Sequence, residues 1–194
     1  MKRVLLSALV SVAIAVPALA NLKEGESAPD FKTQASLAGK EFTFSLKNAL
    51  KKGPVVVYFY PAAYTKGCDL QAHTFSEEYE KFAAAHATII GVSLDKIATL
   101  NKFSSDPEFC AGHFPVASDS DGKIAKSFDV TVMDGRPGAK NIKDEEIDHG
   151  FADRITFVVL PSGKVAATIG GRGVAPDANV HQALETVQKL GSGK

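Results

Sequence analysis

No sign of charge dominates this sequence: its 22 Lys and Arg residues are matched by 22 Asp and Glu. The basic residues are dispersed. The nearest approach to a cluster, Lys47, Lys51 and Lys52, reads as a solvated helix face, so no nucleic-acid partner is expected. After Val16 no apolar run approaches the roughly 20 residues a membrane-spanning helix needs. His86, His113, His149 and His181 are scattered without the spacing of metal ligands. Gly170-Gly171-Arg172-Gly173 lacks the order of a phosphate-binding loop. Neither a metal nor a cofactor is therefore expected. Internal repeats and an interior linker are also missing. Only two cysteines occur, Cys68 and Cys110, and they do not form a C-x-x-C pair, since Thr65 and Gln71 occupy the flanking positions.

At the N-terminus, Met1-Lys2-Arg3 precedes an apolar stretch from Val4 to Val16. Pro17-Ala18-Leu19-Ala20 then supplies a small-x-small cleavage pattern. This reads as a secretory signal peptide over residues 1–20, too short for a comfortable membrane span. Residues 21–194 are then expected to form one exported domain with a sizeable core. Without Lys2 and Arg3, its acidic residues outnumber the basic ones by two.

Along that domain, Leu37-Ala38-Gly39-Lys40 reads as a hairpin turn, and Ser45 to Lys51 as a short helix capped by Ser45. Val55 to Tyr60 lacks polar alternation and predicts a central strand covered on both faces. From Asp69 to His86, Ala72, Phe75, Tyr79 and Phe82 recur at spacings of three and four, which predicts one amphipathic helix. A second buried strand is expected at Thr88 to Leu94, a helix at Lys96 to Phe103, and a short edge strand at Phe114 to Ala117. Another helix is expected at Lys123 to Phe128, and an exposed loop at Met133 to Gly150. Ile155 to Leu160 and Lys164 to Ile169 read as a hairpin, Asp177 to Leu190 as a last helix, and residues 191–194 as a frayed tail. Strand, helix, strand implies a parallel pair with a right-handed crossover. The order as a whole reads as an α/β domain of thioredoxin-like type, a mixed sheet with helices on both faces.

Cys68 falls where the first buried strand hands over to a helix, and it extends the apolar stripe of that helix toward its N-terminus. Unpaired N–H groups and the positive end of the helix dipole face such a position. Settings of this kind lower a cysteine pKa from about 8.5 into the range of roughly 3.5 to 7.5, which makes an activated nucleophile the functional reading. A bland reading stands beside it. Two cysteines in an exported chain also suit a structural disulfide, which over a loop of about 43 residues would stabilise by roughly 4 kcal/mol.

Tyr58-Phe59-Tyr60-Pro61-Ala62-Ala63-Tyr64-Thr65-Lys66-Gly67-Cys68 matches the P-x-x-x-T-x-x-C signature of peroxiredoxins, and the aromatic strand before it most resembles the Q-type, or bacterioferritin comigratory, branch. Phe114-Pro115-Val116-Ala117-Ser118-Asp119 and Arg154-Ile155-Thr156-Phe157 resemble further segments of that branch in the same order. The resemblance implies a cysteine peroxidase acting on hydrogen peroxide or organic hydroperoxides, with Cys68 as nucleophile. It implies that Arg154 is the active-site cation, that Thr65 sets a hydroxyl against the sulfur and the attacked oxygen, and that Pro61 shields the thiolate from water. Taken singly, Arg154 also reads as a strand-end surface charge, Thr65 as part of a turn and Pro61 as a strand terminator.

Where many Q-type members carry a second cysteine, five residues after the first, this chain has His73. A position five residues on turns about 140° around a helix, which makes His73 a poor base for Cys68. Glu108-Phe109-Cys110 resembles the version of the branch with a later second cysteine. Cys110 is then implied as the resolving residue, with local unwinding to bring the two together. The resemblance further implies a thioredoxin-like dithiol reductant and a monomer or weak dimer; with the leader it implies a periplasmic location. Two rivals remain at this point: a thiol-disulfide oxidoreductase, and an exported binding module stapled by a Cys68–Cys110 disulfide.

Overall fold

The computed structural model describes residues 21–171 and 173–192. The leader read over residues 1–20 lies outside them, as do Arg172 and the last two residues of the tail. Nine strands and six helices are formed among the described residues. A hairpin joins β1 (Lys32–Leu37) to β2 (Lys40–Ser45), and α1 (Leu46–Leu50) follows, its first turn capped by Ser45 Oγ accepting from the Asn48 N–H at 3.3 Å. The middle of the chain runs β3 (Val55–Phe59), α2 (Lys66–Glu77), α3 (Tyr79–Ala84), β4 (Thr88–Ser93), α4 (Ile97–Ser105), β5 (Val116–Ser118) and α5 (Lys123–Ser127). It ends with β6 (Val132–Met133), β7 (Phe151–Ala152), β8 (Ile155–Val159), β9 (Val165–Gly170) and α6 (Pro176–Ser192). None of these helices is long and apolar enough to cross a membrane.

Seven strands make one mixed sheet in the order β2-β1-β5-β4-β3-β8-β9. β3, β4 and β5 run parallel, while β8 and β1 join them antiparallel. All of β3 is buried, because both sheet faces are covered. Val56 and Tyr58 pack under α2, α4 and α6, and Val55, Val57 and Phe59 under α1 and α5. Gly91 on β4 has a steric cause: a Cβ there would lie 2.6 Å from the Tyr58 ring, so the missing side chain makes room for this aromatic.

Four expectations need correction. The helix after Cys68 is two helices, broken at Glu78, whose backbone leaves the helical region at φ −91° and ψ 2°. Thr74 Oγ1 donates to the Leu70 carbonyl at 2.7 Å one turn earlier, and a hydroxyl that competes for a ladder carbonyl bends helices. The strand after Phe114 is interior rather than at an edge, since β1 pairs with its outer side. Pro115 sits before its first paired residue and contributes only its carbonyl, to Gly91 N–H at 3.1 Å, so the missing donor costs nothing there. The loop after Met133 is not wholly exposed: its ends pair as β6 and β7, and Ile147 is buried. The last helix also continues past Leu190, through Gly191 and Ser192.

Candidate active site

β3 ends against Pro61, which has no N–H to offer the ladder. The next four residues form a loop held from several sides. Ala63 N–H donates to Asp95 Oδ2 at 2.8 Å, and Ser93 Oγ donates to the same oxygen at 2.7 Å. Tyr64 takes a left-handed backbone, φ +57°, an unfavourable state for an aromatic residue. Edge-on packing against Phe103 and Phe109, with ring centroids at 5.1 and 5.6 Å, holds it there, as does Lys143 Nζ 3.9 Å over its ring. That turn brings the chain back on itself, so that Thr65 Oγ1 donates to the Ala62 carbonyl at 2.8 Å and Thr65 becomes the N-cap of α2.

Cys68 is the third residue of α2, with its own N–H bonded to the Thr65 carbonyl at 2.8 Å. Its thiol is buried. Because β8 runs antiparallel to β3, with Phe59 opposite Ile155, Arg154 arrives at the end of β3 although it lies 86 positions beyond Cys68 in the chain. Arg154 Nη2 donates to Cys68 Sγ at 3.3 Å. Gly67 eases this approach: a Cβ there would lie 3.1 Å from Nη2, close enough to push the guanidinium by a few tenths of an ångström, and in ordinary contact with Pro176 Cγ at 3.6 Å.

The sequence reading did not reach what holds Arg154. Nη1 donates to Gln71 Oε1, Gln71 Nε2 donates to Asn179 Oδ1 at 3.0 Å, and Thr156 Oγ1 donates to that same oxygen at 2.6 Å. Gln71, Thr156 and Asn179 are fully buried. Gln71 carried one legible signal, its position three residues after Cys68 on the same helix face; Asn179 carried none.

Thr65 lies on the loop that leads to Cys68, but its proton is committed to Ala62 rather than to the sulfur. Its oxygen is thereby left as an acceptor. His73 points away from Cys68: Nδ1 meets the Glu108 carbonyl at 2.9 Å and Nε2 lies 3.4 Å from Glu77.

Cys110 is a free, fully buried thiol in the turn between α4 and β5, in the same apolar cluster as Cys68, which is also free. Burial pushes its pKa well above the ordinary thiol value, and the Asp106 and Asp69 carboxylates add to this. Asp69, beside Cys68, is buried with Oδ1 unpaired; burial first, then the Asp106 charge, push its pKa up to about 7. His149, read in the sequence only as lacking metal-ligand spacing, reaches Asp95 Oδ1 with Nε2 at 3.1 Å, while Nδ1 meets the Gly150 carbonyl at 2.7 Å. Both partners are acceptors, so the doubly protonated ring is the form that satisfies both contacts at once. Burial opposes that charge, but the Asp95 carboxylate outweighs it and the His149 pKa is raised.

A buried thiol at a helix N-terminus, faced by a fixed guanidinium on a thioredoxin-like sheet, defines the class as cysteine-based redox enzymes. Comparison with known proteins narrows the class. The profile of the AhpC/TSA family matches residues 25–168. Chloroplastic peroxiredoxin Q of Oryza sativa subsp. japonica is 38% identical over 169 residues, covering 87% of this chain and 68% of its own. The crystal structure of peroxidoxin BcpB from Mycobacterium tuberculosis superposes with a TM-score of 0.72 at 28% identity, covering 87% of this chain and 98% of that one. The bacterioferritin comigratory protein of Xanthomonas campestris gives a TM-score of 0.63 at 26% identity, covering 82% and 92% of the two chains. The chain belongs to the AhpC/TSA family of peroxiredoxins, resembles their Q-type branch, and is by that membership a thioredoxin-dependent peroxidase. The binding-module reading is not favoured.

Proposed function

We propose that Cys68 is the peroxide-reducing nucleophile and Cys110 the residue that resolves it. The observation that carries this reading is the Arg154 guanidinium donating to a buried sulfur in the first turn of α2. The Cys68 thiolate attacks one peroxide oxygen, the S–O bond forms as the O–O bond breaks, and the departing oxygen leaves as water or alcohol after taking a proton. Arg154 stabilises the charge as it moves between sulfur and oxygen, a contribution of about 3–4 kcal/mol for one preorganised donor. Thr65 Oγ1, its own proton held by Ala62, accepts from the peroxide O–H. Pro61 walls the sulfur with a group that has no N–H. The Cys110 thiol, once ionised, then displaces hydroxide from the Cys68 sulfenic acid; the S–S bond forms and water leaves. An external thioredoxin-like dithiol returns both thiols.

Hydrogen peroxide and organic hydroperoxides are the substrates of this scheme, and a monomer or weak dimer suffices for it. Residues 1–20 support export, with the periplasm as the compartment of action. The test is peroxide consumption with thioredoxin as reductant. Cys68→Ser should abolish turnover, and Cys110→Ser should complete a single turnover and then stall. A Cys110→Ser variant that turned over at the wild-type rate would leave Cys68 as nucleophile and remove Cys110 from the cycle.

A further inference from the structure

We propose that Asn179 is a positioning residue for the peroxidase reaction, one that fixes which face of the Gln71 amide meets Arg154. The proposal rests on the reading of Cys68 as nucleophile and Arg154 as its cation. A primary amide is nearly symmetrical in shape but opposite in polarity at its two ends, so a buried Gln beside an arginine helps only when its oxygen faces the guanidinium. Turned over, its N–H groups would oppose those of Arg154 with no water to intervene.

A chain of buried donors and acceptors sets the direction. It starts at the Ile169 backbone carbonyl on β9, which can only accept and takes a hydrogen bond from Asn179 Nδ2 at 3.1 Å. With Nδ2 committed, Asn179 Oδ1 faces the interior, where it accepts from Thr156 Oγ1 at 2.6 Å and from Gln71 Nε2 at 3.0 Å. Gln71 must then present Oε1 to Arg154 Nη1. Rotation of either amide by half a turn sets donor against donor in at least one link. The polarity of one backbone carbonyl on β9 is thus passed through α6 and α2 to the group that holds Nη2 on Cys68 Sγ. Gln71, Thr156 and Asn179 have no exposed surface, so water cannot substitute for a missing partner without opening the structure.

The experiment compares wild type, Asn179→Leu, Gln71→Leu and the double variant. Two quantities are read: the second-order rate of Cys68 oxidation by hydrogen peroxide, and the pH profile of Cys68 alkylation. Asn179→Leu should slow oxidation roughly tenfold, the scale expected for misdirecting one charge-assisted hydrogen bond, and should move the alkylation profile to higher pH. The double variant should be no slower than Gln71→Leu alone, because Asn179 acts only through Gln71. Should Asn179→Leu fail to fold, Asn179→Ala carries the same expectation. A wild-type rate and profile in a folded Asn179 variant, or additive losses in the double variant, would overturn the proposal. A wild-type protein whose Cys68 resists peroxide would instead overturn the reading on which it stands.

Discussion

Arg154 and Cys68 meet because of pairing between β3 and β8, yet each was legible for a different reason. Cys68, Thr65 and Pro61 fall within one short segment whose spacing carries their geometry. Arg154 could be named only through resemblance, since nothing local ties it to a thiol 86 positions away. Gln71 and Asn179 were illegible as partners because their meeting depends on α6 packing against α2. Asp69 is the residue whose environment contradicts its type most sharply. Its pKa, pushed up to about 7 by burial and then by Asp106, compares with about 3.9 in an unfolded chain. Between about pH 4 and pH 7 the unfolded chain gives up a proton that the folded one keeps, so this side chain costs more stability as pH rises through that window and a constant amount above it. Asp69→Asn should therefore stabilise the protein by about 1–3 kcal/mol at pH 8 and leave it nearly unchanged at pH 4, measured by urea unfolding at both.

Among the elements, strands were read more faithfully than helix continuity or strand order. The alternation-free run of β3 and the turn residues of the β8–β9 hairpin are local signals. The break at Glu78 follows no glycine or proline, and the interior place of β5 depends on β1 folding back over it. The proposed resolution by Cys110 depends on the turn that carries it, which is docked by side chains from outside. Lys143 Nζ pairs with Asp106 Oδ2 at 2.9 Å, His73 holds the Glu108 carbonyl, and His113 Nδ1 meets Ser76 Oγ at 2.9 Å while stacking on Tyr79. In the proposed cycle these contacts restrain the Cys110 turn and must loosen for Cys110 to reach Cys68. Lys143→Ala should speed amide hydrogen exchange across residues 106–113 and raise the rate of disulfide formation after peroxide a few-fold, about what loss of a partly exposed ion pair allows. Unchanged exchange with an unchanged rate would show that the ion pair does not gate the turn.

At the scale of the molecule, the thioredoxin-like order of elements was legible because helix and strand periodicities alternate cleanly, whereas the ties between distant loops were not. One such tie gives the protein a pH dependence. His149 anchors the 134–150 loop to Asp95, which also holds the Ala63 N–H of the Cys68 loop. Its folded pKa is raised above 6.5, so the stability it contributes is fully present below about pH 6.5 and is lost as pH rises through the folded value. The gap in melting temperature between wild type and His149→Gln should be widest near pH 5.5 and should shrink by pH 9; a gap that did not vary with pH would contradict the charged pair.

The most direct test of the account is the intact mass of reduced protein, alkylated seconds after one equivalent of hydrogen peroxide, in wild type and Cys110→Ser. A Cys68–Cys110 disulfide is expected in the wild type and a single added oxygen on Cys68 in the variant. Two fully alkylated thiols in the wild type, with no added oxygen in the variant, would contradict it.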